Sequence, residues 1–366
     1  MDIYIPLALL ICIFCFFLRG NHKVVERFFT ISIIIVWILM SVRYEFGPDY
    51  QNYRNIYEGV RGEGNLEGYT GIGQSVESLF LRFLQLFPSF TSFIVFLTTF
   101  WFGVNLYIIK KYIESRYYWV VILYFFFNAN YLLSSLVAMR TALCGCLFMV
   151  ALLFLLRGKR FIYIAIILLA SLIHSSTIIL VVLVFLNGKN NSLFFKLGFA
   201  LGFGLIAMIS FLMGENVVMG LFAEYMIDNI DSFEHYSSYE FTTLSRSFNT
   251  FVFRIMSLTI LFYLILSGKK ETESTYIIMY KIGIVAALFL LIFGQNMISD
   301  RFLLILNPIF IVSLTRSIGK NMDSINVLIF VFLMVISIYI FYNKMIQEYS
   351  ESFLKYQSVF SAPYIP

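Results

Sequence analysis

The chain reads as an all-α polytopic membrane protein, with about 11–12 transmembrane helices and outer loops carrying short amphipathic helices. Three observations predict this. Of its 366 residues, 60% are hydrophobic and only 13% charged, where a soluble domain is roughly a quarter charged. Apolar runs of spanning length recur along the whole chain, and only a helix satisfies its own backbone in hydrocarbon. The connections between runs alternate in charge, as loops on opposite sides of a membrane do.

The first eighteen residues lack a basic start and a small-residue cleavage site, so they read as an uncleaved span and not a signal peptide. Further spans fall near 25–41, 91–109, 117–134, 138–156, 161–186, 194–213, 248–266, 276–294, 302–315 and 326–343. The stretch 75–87, "SVESLFLRFLQLF", is shorter and amphipathic, suited to the membrane surface or a shallow dip into it. Cys12, Cys15, Cys144 and Cys146 lie inside apolar runs and read as small packing side chains, not metal ligands. A single membrane domain over 1–366 is the simplest partition, with outer loops 42–90 and 214–247 and an outer tail 344–366.

Charge sets the sidedness. The connections around 19–27, 110–116, 157–160, 187–196, 268–274 and 315–324 hold fifteen Lys/Arg against five Asp/Glu. The remaining connections, tails and flanks hold ten against sixteen, with Lys281 left inside a span. Positive loops stay in the cytoplasm, so both termini face outward. "RGKR" (157–160) and "NGKNNSLFFK" (187–196) then share a side. The run 161–186 between them must go out and return as a short hairpin with "IHSS" (173–176) at its apex. The competing reading is one long tilted span with His174 at mid-membrane.

Polar residues gather near the outer ends of spans. Arg43 ends the second span, and Asp49 and Arg54 follow it. Arg140 lies just inside the fifth, His174 tops the hairpin, Arg246 and Arg254 flank the start of 248–266, and Asp300 and Arg301 precede 302–315. Charge at membrane depth is costly and faces the bundle interior or a wet cavity. Arginine suits bidentate contact with phosphate, so Arg43, Arg54, Arg140, Arg246, Arg254 and Arg301 together suggest a diphosphate site. Gly47-Pro48 makes a turn, and Asp49 can cap a helix from Tyr50. Tyr50, Tyr53, Arg54 and Tyr57 share a face of that helix, and tyrosine rings with hydroxyl edges suit sugars. The plainer readings are a capping Asp49 and interfacial tyrosines. His174 could serve as a base near neutral pH or as a hydrogen-bonded structural residue; Asp49 and Asp300 are rival bases. His22 belongs to a basic loop and His235 to an acidic one. There is no Walker loop, HExxH, Cys-x-x-Cys or GxSxG elbow, and "GEGNLEGYTGIG" (62–73) has no strand before it. Nothing points to ATP or nucleic acid.

"SVRYEFGPDYQNYRNIYE" (41–58) resembles the signature that follows the second span in the EpsG-type family, which includes exopolysaccharide and O-antigen polymerases of the Wzy class. Arg43, Gly47, Asp49, Tyr50 and Tyr53 carry the match. "MRTALCGCLF" with Arg140, "LASLIHSSTIIL" with His174, "DRFLLIL" with Arg301 and the closing "SVFSAPYIP" are similar too. Pro48 departs from the family's usual small polar residue. The resemblance implies a glycosyltransferase in the bacterial inner membrane, for which a GT-C-like architecture is suitable. Such an enzyme moves a glycan from undecaprenyl diphosphate onto the non-reducing sugar of a new lipid-linked repeat. It implies six arginines (43, 54, 140, 246, 254, 301) on the diphosphate, His174 as base with Asp49 or Asp300 as alternates, and Tyr50, Tyr53 and Tyr57 on sugars. The partners implied are the lipid-linked oligosaccharide as donor and acceptor, membrane lipid, and a chain-length-regulating membrane protein; no metal or cofactor is required. A lipid-linked oligosaccharide flippase is the alternative, but its charges should line a path open to both sides. A sugar-modifying acyltransferase would need larger cytoplasmic loops.

Overall fold

The computed structural model describes residues 4–45, 47, 49–62, 76–127, 137–186, 188–189, 204, 260–261, 263–268, 271–293, 297–320 and 357–358. Ten helices within these residues position the site. They are α1 (Tyr4–Phe17), α2 (His22–Ser41), α3 (Tyr50–Gly62), α4 (Val76–Gln85), α5 (Phe90–Tyr112), α6 (Tyr118–Phe127), α7 (Met139–Leu156), α8 (Arg160–Ser171), α9 (Ser274–Phe293) and α10 (Met297–Lys320). Among the described residues, four stretches are long and apolar enough to cross a membrane: His22–Ser41, Phe90–Tyr112, Met139–Leu156 and Phe302–Gly319. The fold is an all-α polytopic membrane protein. Two-residue strands β1 (Arg43–Tyr44) and β2 (Gln357–Ser358) pair antiparallel, which ties the tail to the turn after α2.

The basic connections meet at one end of the bundle. His22 Nδ1 lies 3.0 Å from Ser115 Oγ, and Lys110 lies 3.8 Å from Glu26. Tyr276 donates to the Tyr112 carbonyl at 3.2 Å. Arg316 meets the buried Glu271 at 3.3 Å and stacks 4.1 Å over the Tyr276 ring. Lys281, read as intramembrane, reaches the Lys189 carbonyl at 3.2 Å. A long aliphatic stem allows such a reach to a polar end while its methylenes stay in apolar surroundings.

The run 161–186 folds back on itself. α8 stops at Ser171, the backbone turns through Leu172–His174, and Ser175–Phe185 continues as a 3-10 leg. Tyr163 donates to the Leu180 carbonyl. Were the two legs collinear, these residues would stand about 25 Å or more apart, far beyond one tyrosine side chain. The hairpin packs on α7, where the Cys144 thiol meets the Ala170 carbonyl at 3.3 Å. Side chains three apart eclipse on a 3-10 helix, so Thr177, Leu180 and Leu183 form one buried line.

α10 begins five residues before the apolar run at 302, so Asp300 and Arg301 lie in its opening turns and not ahead of it. The stretch at 75–87 packs inward through Phe80, Leu81 and Leu84, against the aromatic start of α5.

Candidate functional site

Arg140 is the hub of the end opposite the basic turns. It is the second residue of α7, and its Nε donates to the Tyr53 hydroxyl of α3 at 3.4 Å. Two packing contacts fix the level of its neighbours. Cys144 meets Ala170, so Arg140 and His174 each lie about one helical turn, some 6 Å, beyond that contact. A side-chain carbon added at Gly145 would lie 3.7 Å from Ile305 Cα, so Arg301 lies about 6 Å beyond Ile305 on the adjoining α10. Arg140, His174 and the Asp300–Arg301 backbone therefore share one level on three neighbouring elements.

The turn before α3 locks onto the same place. α3 starts at Tyr50, and the Asp49 carbonyl accepts from Tyr53 N at 3.1 Å. Gly47 has φ +86°, and a Cβ there would lie 2.3 Å from Cγ2 of the buried Val137, three residues before Arg140. Asp49 thus sits one turn from the tyrosine that touches Arg140.

Arg43 is 1% exposed. Its Nη1 donates to the Met40 carbonyl at the end of α2 and to Thr98 Oγ1 of α5 at 2.7 Å. A guanidinium commonly holds the last carbonyls of a helix in this way. Nothing in the sequence marked Thr98 as its partner. Arg54 is half-buried on the flank of α3. Its Nε pairs with Glu58 Oε1 at 2.7 Å and its Nη1 donates to the Tyr44 hydroxyl at 2.9 Å. The Glu58 hydrogen bond, assisted by Tyr44, pushes the Arg54 pKa up, so the charge is fixed.

Tyr50, Tyr53 and Tyr57 face inward and are buried. Tyr50 and Tyr57 pack on Phe90 with ring centroids 5.2 and 5.9 Å apart, and Tyr53 on Phe80 at 6.1 Å. Tyr57 also donates to the Phe87 carbonyl at 2.8 Å. Burial pushes the Tyr50 phenol up. All three rings are engaged by protein. Sequence reading passed over Tyr44 and Glu58, which lie in the same signature and hold Arg54. Arg246 and Arg254 lie outside the described residues.

Comparison with curated proteins and with solved structures returns no match. A family model does match, over residues 26–358. That span runs from within α2 through the paired tail and includes every site residue placed above. The chain belongs to the EpsG family, and membership supports a polysaccharide polymerase-type function in the membrane.

Proposed function

We propose that the protein is a glycosyltransferase that polymerises lipid-linked repeat units at the outer face of the bacterial inner membrane. The observation that carries this reading is the convergence on Arg140, at the end away from the basic turns. The growing glycan is transferred en bloc from undecaprenyl diphosphate. Its anomeric C–O bond to the diphosphate breaks, and the acceptor's sugar hydroxyl forms the new one. The lipid diphosphate leaves with the electron pair, and the hydroxyl proton passes to a base.

The leaving diphosphate, already anionic, gains one further negative charge as the C–O bond breaks, so cations held in place before reaction do most of the work. Arg140 and Arg301 are assigned to the diphosphate, with Arg246 and Arg254 as further contacts. Arg43 and Arg54 support the wall that carries Tyr53. His174, level with Arg140, is the assigned base, and Asp49 and Asp300 are its alternates. Tyr50, Tyr53 and Tyr57 form the packed backing of the sugar side. A membrane protein that sets chain length would dock alongside.

The test is the purified chain in liposomes supplied with the lipid-linked repeat. A saccharide ladder, with one lipid diphosphate released per bond formed, supports the proposal. Movement of the repeat across the bilayer with no ladder contradicts it and marks a flippase.

A further inference from the structure

The two faces of α3 differ in kind. The inward face carries Tyr50, Tyr53 and Tyr57 in the core. The outward face carries flat polar side chains: Gln51 and Asn55 bond to each other at 3.0 Å, and Glu58 is exposed one turn further on. Arg54 stands between the faces, held by Glu58 at 2.7 Å and by the Tyr44 hydroxyl at 2.9 Å, with its guanidinium carbon 5.7 Å from the Tyr44 ring centroid. Tyr44 belongs to β1, and β1 is paired to the tail through Gln357. The residue that joins this pair from outside α3 is thus itself anchored to the tail.

An i,i+4 ion pair at a surface contributes little to stability, so stability alone does not account for the third partner from another element. The pair is also close to neutral as a unit. A diphosphate calls for cations that are not already paired with a carboxylate. Sugar hydroxyls call for something else: a donor fork beside an acceptor, with an aromatic ring near for the apolar face of the pyranose.

Resting on the polymerase reading, we propose that Tyr44, Arg54 and Glu58 form a saccharide subsite that binds vicinal hydroxyls of a repeat-unit sugar. The guanidinium donates to one hydroxyl and the Glu58 carboxylate accepts from its neighbour. The sugar takes over part of the coordination that each side chain now gives the other. Tyr53, one residue before Arg54, touches Arg140, so a sugar held here stands beside the diphosphate centre and not upon it.

The probe is the repeat-unit saccharide released by mild acid from the host's surface glycan, free of lipid and phosphate. Its binding to the full-length protein in detergent is followed by saturation-transfer NMR. Wild type is expected to bind it, and Glu58→Gln and Tyr44→Phe to weaken binding at least fivefold. Melting temperatures of the variants are measured alongside, and Asn52→Ala, on the exposed face away from the triad, serves as a second variant of similar exposure that should bind as wild type does. Binding equal in wild type, Glu58→Gln and Tyr44→Phe, or no binding by wild type, overturns the subsite. If the liposome assay yields no ladder while the saccharide still binds through Glu58, the polymerase reading fails and the subsite stands.

Discussion

Gly47 meets two constraints that no other residue satisfies. Its φ of +86° is left-handed, and a side-chain carbon there would run into the stiff, buried Val137. Gly47→Ala is expected to cost about 2 kcal/mol or more, seen as a lower melting temperature in detergent. Gly103, inside α5 with nothing within 4 Å of its missing side chain, is the opposite case. Gly103→Ala should stabilise by about 0.5–1 kcal/mol, and equal melting of the two variants would contradict the account of the turn. Tyr53→Phe keeps the ring on Phe80 and removes only the hydroxyl that accepts from Arg140. A hydrogen bond to a charged group is worth about 1.5–3 kcal/mol, so melting is expected to fall by a few degrees and polymer formation at least tenfold. Full activity in Tyr53→Phe would remove this hydroxyl from the positioning of Arg140.

Among the elements, the hairpin of α8 and the 3-10 leg decides which side the following chain starts from. Arg160 and Lys189 stand at its open end and are exposed. Cysteines placed there singly should both react with an impermeant maleimide from the same side of the membrane; labelling from opposite sides would mean a single crossing. Background is low because all four native cysteines are buried. The turn at His174 was legible because charge sidedness demanded it, and the start of α3 because Gly-Pro-Asp precedes it. The 3-10 geometry was not legible, since an apolar run carries no period that separates it from an α-helix. The inward tyrosine face was visible as a stripe, but spacing alone does not say whether a stripe meets protein or ligand. The pairing of β1 with β2 lay beyond pattern reading: two residues are too few to show alternation. The bond from Arg43 to Thr98 spans 55 residues and left no local trace.

At the scale of the whole molecule, the basic turns and the Arg140 cluster lie at opposite ends of the bundle. The basic turns hold one another through His22–Ser115, Lys110–Glu26 and Arg316–Glu271, and Lys281 reaches toward them through Lys189. The other end draws α3, α7, the hairpin corner and the start of α10 to one level around Arg140. That the basic connections gather at one end was expected from the loops alone, because the charge bias is a count over sequence. The hub was not: six arginines were equally plausible until packing placed Arg43 against a helix end, Arg54 beside a carboxylate and Arg140 at the meeting of elements. The most direct test of this arrangement is a gel of the surface glycan from a deletion strain carrying the wild-type gene or Arg140→Ala. The account predicts a ladder with wild type and a carrier bearing a single repeat, without a ladder, with Arg140→Ala expressed at the normal level. A normal ladder with Arg140→Ala would contradict it.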